Sequence, residues 1–143
     1  MFDKNIQEGF MRFALELAKK ASERGEVPIG CVIADESGAI VGRGGNSREA
    51  SRNSLAHAEI IAINEACHTL GRWRLEGCTA FVTLEPCPMC YGAFAAARID
   101  RVIYGATNHN PKAAGGDPEL ISGVLKDDCA ELLREFFAGL RGT

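Results

Sequence analysis

The 143-residue sequence lacks the features that mark membrane-spanning, exported and repetitive proteins. No apolar run approaches the roughly 20 residues of a transmembrane helix. The N-terminal segment MFDKNIQEGF has no basic region followed by an apolar one, so it shows no secretory signal. Internal repeats, low-complexity tracts and linkers are lacking as well. We therefore expect one globular domain over residues 1–143, a cytoplasmic location and no membrane partner.

Cysteine and net positive charge are also scarce. Six cysteines are too few for a disulfide scaffold in a chain of this length, which predicts reduced thiols. Four of them lie among apolar or helical residues and are expected to be small buried hydrophobes, whereas Cys87 and Cys90 form a C-x-x-C motif. The net charge of −3 argues against binding to nucleic acid by bulk charge, but it is compatible with a local basic groove.

Apolar periodicity predicts an alternation of helices and strands. The predicted helices cover residues 3–24, 55–70, 89–98 and 126–140. The predicted strands cover residues 29–34, 39–41, 79–84 and 101–104, with a short further strand before the last helix. Loops are expected at the glycine-rich residues 42–46, the polar residues 47–54 and residues 107–118. This order predicts an α/β fold with a mixed sheet and helices on both faces, in which the third and fourth strands run parallel.

Two short motifs fall at the starts of predicted helices. They are His57-Ala-Glu59 and Pro86-Cys87-Pro-Met-Cys90. Side chains in a first helical turn project past the helix N-terminus, so both motifs can serve one site. One imidazole and two thiolates provide three ligands to zinc and leave a fourth position for water. The sequence therefore predicts a Zn²⁺ site at His57, Cys87 and Cys90, with Glu59 as the general base that carries protons.

Each motif has an ordinary interpretation when taken alone. His-x-Glu occurs by chance on surface helices, and C-x-x-C between a strand and a helix is typical of a thioredoxin-like redox dithiol. The redox interpretation gives His57 and Glu59 no role. A non-catalytic, zinc-stabilised binding module is a second alternative, but such a site has no use for an unligated carboxylate. Both motifs in this order, H-x-E…P-C-x-x-C, are the signature of zinc deaminases.

On these residues the sequence resembles the cytidine deaminase-like zinc deaminases, and within that family the bacterial branch that acts on adenosine in tRNA. The similar segments are EVPIG at 26–30, AHAEI at 56–60, VTLEPC at 82–87, Met89-Cys90, GVLKDDC at 123–129 and Phe136-Phe137. The resemblance covers nearly the whole chain. It implies a three-layer α/β/α fold with a mixed five-stranded sheet, a homodimer, and conversion of adenosine to inosine at the wobble position of the anticodon loop.

The resemblance also implies residue roles. Zinc would be held by His57, Cys87 and Cys90, and Glu59 would shuttle protons. The implied substrate contacts are Asn46 with the flipped base, the Ala58 backbone amide at the attacked carbon's oxygen, and Ile29 and Leu84 in the pocket wall. Asn108 and His109 are further candidate contacts beside the pocket. On the residues alone, Asn46 is more often a left-handed turn residue. Ile29 and Leu84 are equally compatible with ordinary strand core, and His109 with a polar loop residue.

The sequence departs from the pattern of that branch where RNA contacts are expected. Asn53-Ser54-Leu55 replaces the frequent Asp-Pro-Thr, Asn108 stands where an acidic residue is usual, residues 116–121 form a shortened segment, and no basic tail follows Leu140. Two other substrate classes therefore stay open, namely free bases or nucleosides of the guanine or cytosine type, and single-stranded DNA. Arg48, Arg52 and Arg74 are the expected phosphate contacts if the substrate is a nucleic acid, although solvated surface charge explains them equally well.

Overall fold

The structure is a computed structural model that describes residues 2–108 and 118–141. Its helices are α1 (Lys4–Glu23), α2 (Arg48–Ser51), α3 (Ala58–Leu70), α4 (Pro88–Ala96) and α5 (Lys126–Arg141). Its strands are β1 (Gly30–Ala34), β2 (Ile40–Gly45), β3 (Thr79–Leu84), β4 (Arg101–Ala106) and β5 (Glu119–Ile121). None of the described helices combines the length and the apolar content of a membrane span.

The strands form one mixed sheet in the order β2-β1-β3-β4-β5. Strand β1 pairs antiparallel with both β2 and β3. Strands β3, β4 and β5 are parallel neighbours. Because α4 connects β3 to β4, the two strands enter the sheet in the same direction, as the sequence predicts.

Helices cover both faces of the sheet. On one face, α1 and α5 enclose an apolar cluster that includes Met11, Phe81 and Cys129. On the other face, α3 and α4 enclose a second cluster that includes Ala62 and Phe94. The predicted three-layer α/β/α fold with five strands is therefore confirmed.

Strand β2 is longer than the sequence predicts. The prediction of a loop over residues 42–46 is wrong for residues 42–45, which continue the strand to Gly45. These glycines are present because α3 lies very close to the strand. A Cβ added to Gly44 would stand 2.5 Å from the carbonyl oxygen of Ala58, and one added to Gly42 would overlap the carbonyl oxygen of Ala62. Glycine here allows the close packing of a helix on a strand rather than a turn.

The segment before α3 also differs from the prediction. The expected loop over residues 47–54 contains the short helix α2, and α3 begins at Ala58 rather than at Leu55. The side-chain oxygen of Asn53 accepts a hydrogen bond from the Leu55 N–H at 2.9 Å. The backbone carbonyl oxygen of Asn53 accepts one from the Ala56 N–H at 3.0 Å. This local turn competes with helix formation and delays the start of α3, so that His57 becomes its N-cap residue.

Candidate metal centre

The two motifs meet at the N-termini of α3 and α4. His57 is the N-cap residue of α3, Cys87 is the N-cap residue of α4, and Cys90 lies in the first turn of α4. The His57 Nδ1 atom stands 3.5 Å from Cys90 Sγ and 3.8 Å from Cys87 Sγ. The three ligand atoms all lie within 4.8 Å of one another. We refer to His57, Cys87 and Cys90 as the His-Cys cluster.

Local sequence explains why these helices begin where they do. Pro88 occupies the first position of α4, where the missing N–H costs no intrahelical hydrogen bond and the fixed φ favours a helix start. Both His57 and Cys87 have extended backbone conformations. Neither side chain makes a capping hydrogen bond, so both are directed to the shared site instead.

Glu59 lies in the first turn of α3 beside the His-Cys cluster, and only 3% of its surface is exposed. Its Oε1 atom is buried and, among the described residues, has no hydrogen-bond partner. Burial raises the pKa of Glu59 to about 7, against the opposing effect of hydrogen bonds from its own backbone and from the Cys90 thiol. A carboxyl group of this kind can both accept and donate a proton near neutral pH.

The residues present fit a Zn²⁺ ion. Burial, and after it the positive charge of Arg48, lowers the pKa of His57, which favours the neutral imidazole that a metal requires. Burial, and then the negative charges of Glu59 and Cys87, raises the pKa of Cys90 well above its usual range. Two thiols and a carboxyl group crowded into a buried site repel one another as anions, and a divalent cation relieves that repulsion.

Asn46 and Ala58 contact each other at the edge of the cluster. Asn46 is 5% exposed, and its Oδ1 accepts a hydrogen bond from the Ala58 N–H at 2.9 Å. The resemblance implies that the Ala58 amide donates a hydrogen bond to an oxygen of the substrate. In this structure the Asn46 side chain accepts the hydrogen bond from that amide. The Asn46 N–H itself donates to the Ile29 carbonyl at 3.1 Å, which fixes the residue against the start of β1.

The two apolar residues predicted to line the pocket lie on different clusters. Ile29 is half-buried and packs against the cluster under α3 and α4. Leu84 packs against the cluster under α1 and α5. Both side chains are only partly buried, and their places in a pocket wall stay predictions.

Asn108 contacts the segment that leads to the cysteines. Its backbone N–H donates to Glu85 Oε1 at 3.3 Å, and its side-chain Nδ2 donates to the Glu85 carbonyl oxygen at 2.8 Å. The sequence assigns Asn108 to the substrate, but these bonds join it to the loop before Cys87. His109, the other residue predicted beside the pocket, lies outside the described residues.

Sequence reasoning assigned no role to two buried carboxylates near the site, Glu26 and Glu85. They are 3% and 4% exposed, respectively. Glu26 accepts hydrogen bonds from two backbone amides of α2, and Glu85 accepts one from Asn108. In the sequence, each of these acids lies close to a proline and next to a strand. That pattern does not distinguish a buried acid from an exposed one.

The chain belongs to the cytidine and deoxycytidylate deaminase family, because the family model for the zinc-binding region of these enzymes matches residues 4–106. The sequence-based prediction of this family, of a zinc cofactor and of a zinc-dependent aminohydrolase is therefore confirmed.

The chain is similar to individual tRNA adenosine deaminases and also to a guanine deaminase. The chain is 44% identical over 146 residues to the tRNA-specific adenosine deaminase of Bacillus subtilis, a match that covers 94% of this chain and 90% of that protein. A solved tRNA:A34 deaminase, studied for A-to-I editing at the wobble position, matches with a TM-score of 0.82 and 39% identity over 87% of this chain and 99% of that chain. The guanine deaminase of Nitrosomonas europaea matches with a TM-score of 0.83 at 27% identity, over 92% and 84% of the two chains.

Proposed function

We propose that this protein is a zinc-dependent deaminase that converts adenosine to inosine at the wobble position of a tRNA anticodon loop. The observation that carries the proposal is the 44% identity to a tRNA-specific adenosine deaminase over nearly the whole chain, together with a cluster in which the His-Cys ligands and Glu59 stand side by side. The reaction consumes one water molecule and releases one ammonia molecule.

Glu59 is the residue that moves protons in this proposal. Zn²⁺ held by His57, Cys87 and Cys90 would act as a Lewis acid that makes a water molecule more acidic. Oε1 of Glu59 is buried and lacks a partner among the described residues, so it is able to accept the proton of that water. The same oxygen then delivers that proton to a ring nitrogen of adenine, takes the second proton from the hydroxyl group added at the attacked carbon, and passes it to the amino group, which leaves as ammonia.

Asn46 and Ile29 are the proposed contacts with the target base. The Ala58 N–H holds Oδ1 of Asn46, and this bond directs the Asn46 amide nitrogen as a donor toward an acceptor on the base. The base has to leave its stack to reach this position, as in other enzymes that act on a nucleobase. Roles for Leu84, Asn108 and His109 remain predictions of the sequence.

A free-base deaminase is the second candidate. The likeness to the Nitrosomonas guanine deaminase, at a TM-score of 0.83, supports it. The guanine deaminase of Bacillus subtilis is 40% identical, but that match has a TM-score of 0.66 and covers 70% of this chain. The identities of 39% to the tRNA:A34 deaminase and 44% to the Bacillus tRNA-specific adenosine deaminase extend over 87% and 94% of this chain, and the tRNA substrate is therefore favoured. Single-stranded DNA is the third substrate class and is tested alongside.

We also propose a cytoplasmic homodimer. A tRNA substrate is consistent with the cytoplasm. One face of α4 is built from small residues, and Gly92 and Ala96 on it are exposed, which permits the close approach of a second subunit. Light scattering at micromolar concentration is expected to give twice the monomer mass. For Ala96→Arg it is expected to give the mass of a single monomer.

One experiment separates the substrates. The zinc-loaded protein is incubated with an anticodon stem-loop RNA, its DNA counterpart, and free adenine, guanine and cytosine, and each product is identified by mass. Formation of inosine in the stem-loop RNA, with no product from the DNA or the free bases, supports the proposal. Deamination of guanine without any change in the stem-loop would replace it with the second candidate.

A further inference from the structure

Glu26 is a buried carboxylate that the proposed chemistry does not use. It follows the end of α1, and only 3% of its surface is exposed. Its Oε2 atom accepts the Ala50 N–H at 2.9 Å, and its Oε1 atom accepts the Glu49 N–H at 3.2 Å. The carboxylate therefore binds the first turn of α2 from a distant part of the chain.

Helix α2 depends on this contact because it is too short to satisfy its own amides. The first N–H groups of an α-helix have no intrahelical acceptor. In the four-residue helix α2, the Ser51 N–H bonds to the Ser47 carbonyl oxygen at 2.9 Å, and the amides before it need acceptors from outside the helix. Its N-cap residue, Ser47, makes no side-chain capping bond. Glu26 supplies the two acceptors that a capping side chain would otherwise provide.

The surroundings of Glu26 favour its charged form. Burial raises its pKa, but hydrogen bonds from Ala50 and Glu49 and the charge of Arg24 outweigh burial, and the net effect lowers the pKa. Arg24 also donates from Nη2 to the Asn46 carbonyl oxygen at 3.3 Å. Arg24 and Glu26, which follow α1, thus hold the Asn46–Ala50 segment at its two ends.

The held segment borders the His-Cys cluster. The Ser47 N–H donates to the Ala56 carbonyl oxygen at 3.0 Å, immediately before His57. The carbonyl oxygen of Arg48, the first residue of α2, accepts the Asn53 N–H at 3.1 Å, which closes α2 onto the segment that leads to His57. Arg48 and the C-cap residue Arg52 are both exposed beside the start of α3.

We propose that Glu26 is a positioning residue, which anchors α2 and so holds Arg48 and Arg52 at the entrance of the site. Glu26 touches neither metal nor substrate, and it acts on the binding of substrate rather than on the chemical step. The part of this inference that concerns substrate rests on the proposed function, whereas the anchoring of α2 does not.

Amide hydrogen exchange tests the anchor without any substrate. In Glu26→Ala the amides of Glu49 and Ala50 are expected to exchange about tenfold or more faster than in the wild type, since two charge-assisted hydrogen bonds are lost. Glu26→Gln keeps the shape and one good acceptor, and an intermediate acceleration is expected. Zinc content per chain reports whether each variant has folded. Wild-type exchange at both amides in Glu26→Ala would overturn the inference.

Steady-state kinetics on the anticodon stem-loop test the consequence. Glu26→Ala is expected to raise KM by about tenfold while kcat changes less than about threefold, and Glu26→Gln is expected to recover part of the affinity. The matched control is Glu49→Gln, which removes the same charge from an exposed side chain on α2 itself. An equal rise in KM in the control would overturn the anchor, because charge alone would then explain it. A loss of kcat at unchanged KM would overturn it as well.

A wild-type protein that leaves the stem-loop unchanged would refute the proposed function but not the anchor. Hydrogen exchange at Glu49 and Ala50 then decides the anchor alone, because it needs no substrate.

Discussion

Glu59 is a carboxyl group in a place where a charge is costly, and that cost is evidence for its proposed role. The side chain is buried, and its pKa is raised by burial to about 7. Replacing it with glutamine keeps the shape of the side chain and removes its ability to exchange a proton. We expect Glu59→Gln to lower kcat on the anticodon stem-loop by roughly 10²–10⁴-fold, with one zinc retained per chain. Single-turnover kinetics and elemental analysis measure the two quantities.

The matched control for this variant is Glu65→Gln on the same helix. Glu65 is about half exposed and forms an ion pair with Arg43 at 3.5 Å, a contact of little energetic weight at a protein surface. Wild-type turnover is expected for the control. Near wild-type turnover of Glu59→Gln itself would show that Glu59 is a bystander.

The residues of the His-Cys cluster were predictable from the sequence because each motif is local. Cys87 and Cys90 are three residues apart at a helix start, and that spacing alone places them on one face. Glu26 was not predictable, since its partners lie 23 and 24 residues further along the chain. Nothing in a single sequence tells a buried acid that binds distant amides from an acid in water.

At the scale of elements, the contact between β2 and α3 controls the position of the site. The start of α3 carries His57 and Glu59, and the neighbouring Ala58 carbonyl oxygen would meet a Cβ on Gly44 at 2.5 Å. We therefore expect Gly44→Ala to push α3 outward, to lower the free energy of unfolding by about 1–3 kcal/mol and to reduce zinc affinity. Chemical denaturation and competition with a zinc chelator measure these effects.

The control for the glycine variant is Gly9→Ala in α1. A Cβ on Gly9 has nothing within 4 Å, and an alanine in an exposed helix stabilises it by about 0.5–1 kcal/mol. The two Gly→Ala changes should therefore have opposite signs. Equal stabilisation by both would contradict the close packing of α3 on β2.

The turn between β1 and β2 gives a prediction with a pH dependence. The Asp35 carboxylate accepts the Ser37 hydroxyl at 2.6 Å and the Ala39 N–H at 3.1 Å. The Ser37 hydroxyl lowers the pKa of Asp35 below its ordinary value of 3.8, against the effect of burial and with the help of backbone N–H groups. The stability gained from the charged form is thus present above pH 3.8 and is lost as the pH falls through the lowered pKa.

We accordingly expect Asp35→Asn to melt a few degrees below the wild type at pH 7, and the difference to shrink as the pH falls below 3.8. Differential scanning calorimetry over a pH series measures it. A difference in melting temperature that is constant over that range would contradict the assigned role of the charge.

The elements whose position the sequence pattern predicts well are the amphipathic helices α1 and α5 and the continuous apolar strand β3, which is buried on both faces. The sequence failed where tertiary contacts decide the local structure. Gly42 and Gly44 belong to a strand because α3 packs on them, and residues 48–51 form a helix because Glu26 holds the amides of Glu49 and Ala50. Neither cause lies within the window of residues that a periodicity argument uses.

At the scale of the whole molecule, the arginines predicted to hold phosphates are separated by α3. Arg48 and Arg52 precede the start of this helix, next to His57. Arg74 follows the end of α3, and the 13 residues of this helix separate its two ends by about 20 Å. Arg74 also pairs with Glu76 at 2.9 Å and lies over the Trp73 ring at 5.1 Å. The structure thus leaves Arg48 and Arg52, but not Arg74, beside the site.

This separation gives a prediction about salt. A nucleic-acid substrate is held through its phosphates, so kcat/KM on the stem-loop should fall as salt rises, by about 0.7 in log–log slope for each phosphate contact on a single strand. Arg48→Gln and Arg52→Gln are each expected to make the slope shallower by about that amount. Arg74→Gln, and Arg12→Gln on α1 at the opposite face of the sheet, are the matched controls and should leave the slope unchanged.

A slope that changes with Arg74→Gln but not with Arg48→Gln would place the RNA at the other end of α3. Activity on free bases that is flat across the salt series, with none on the stem-loop, would instead identify a free-base deaminase.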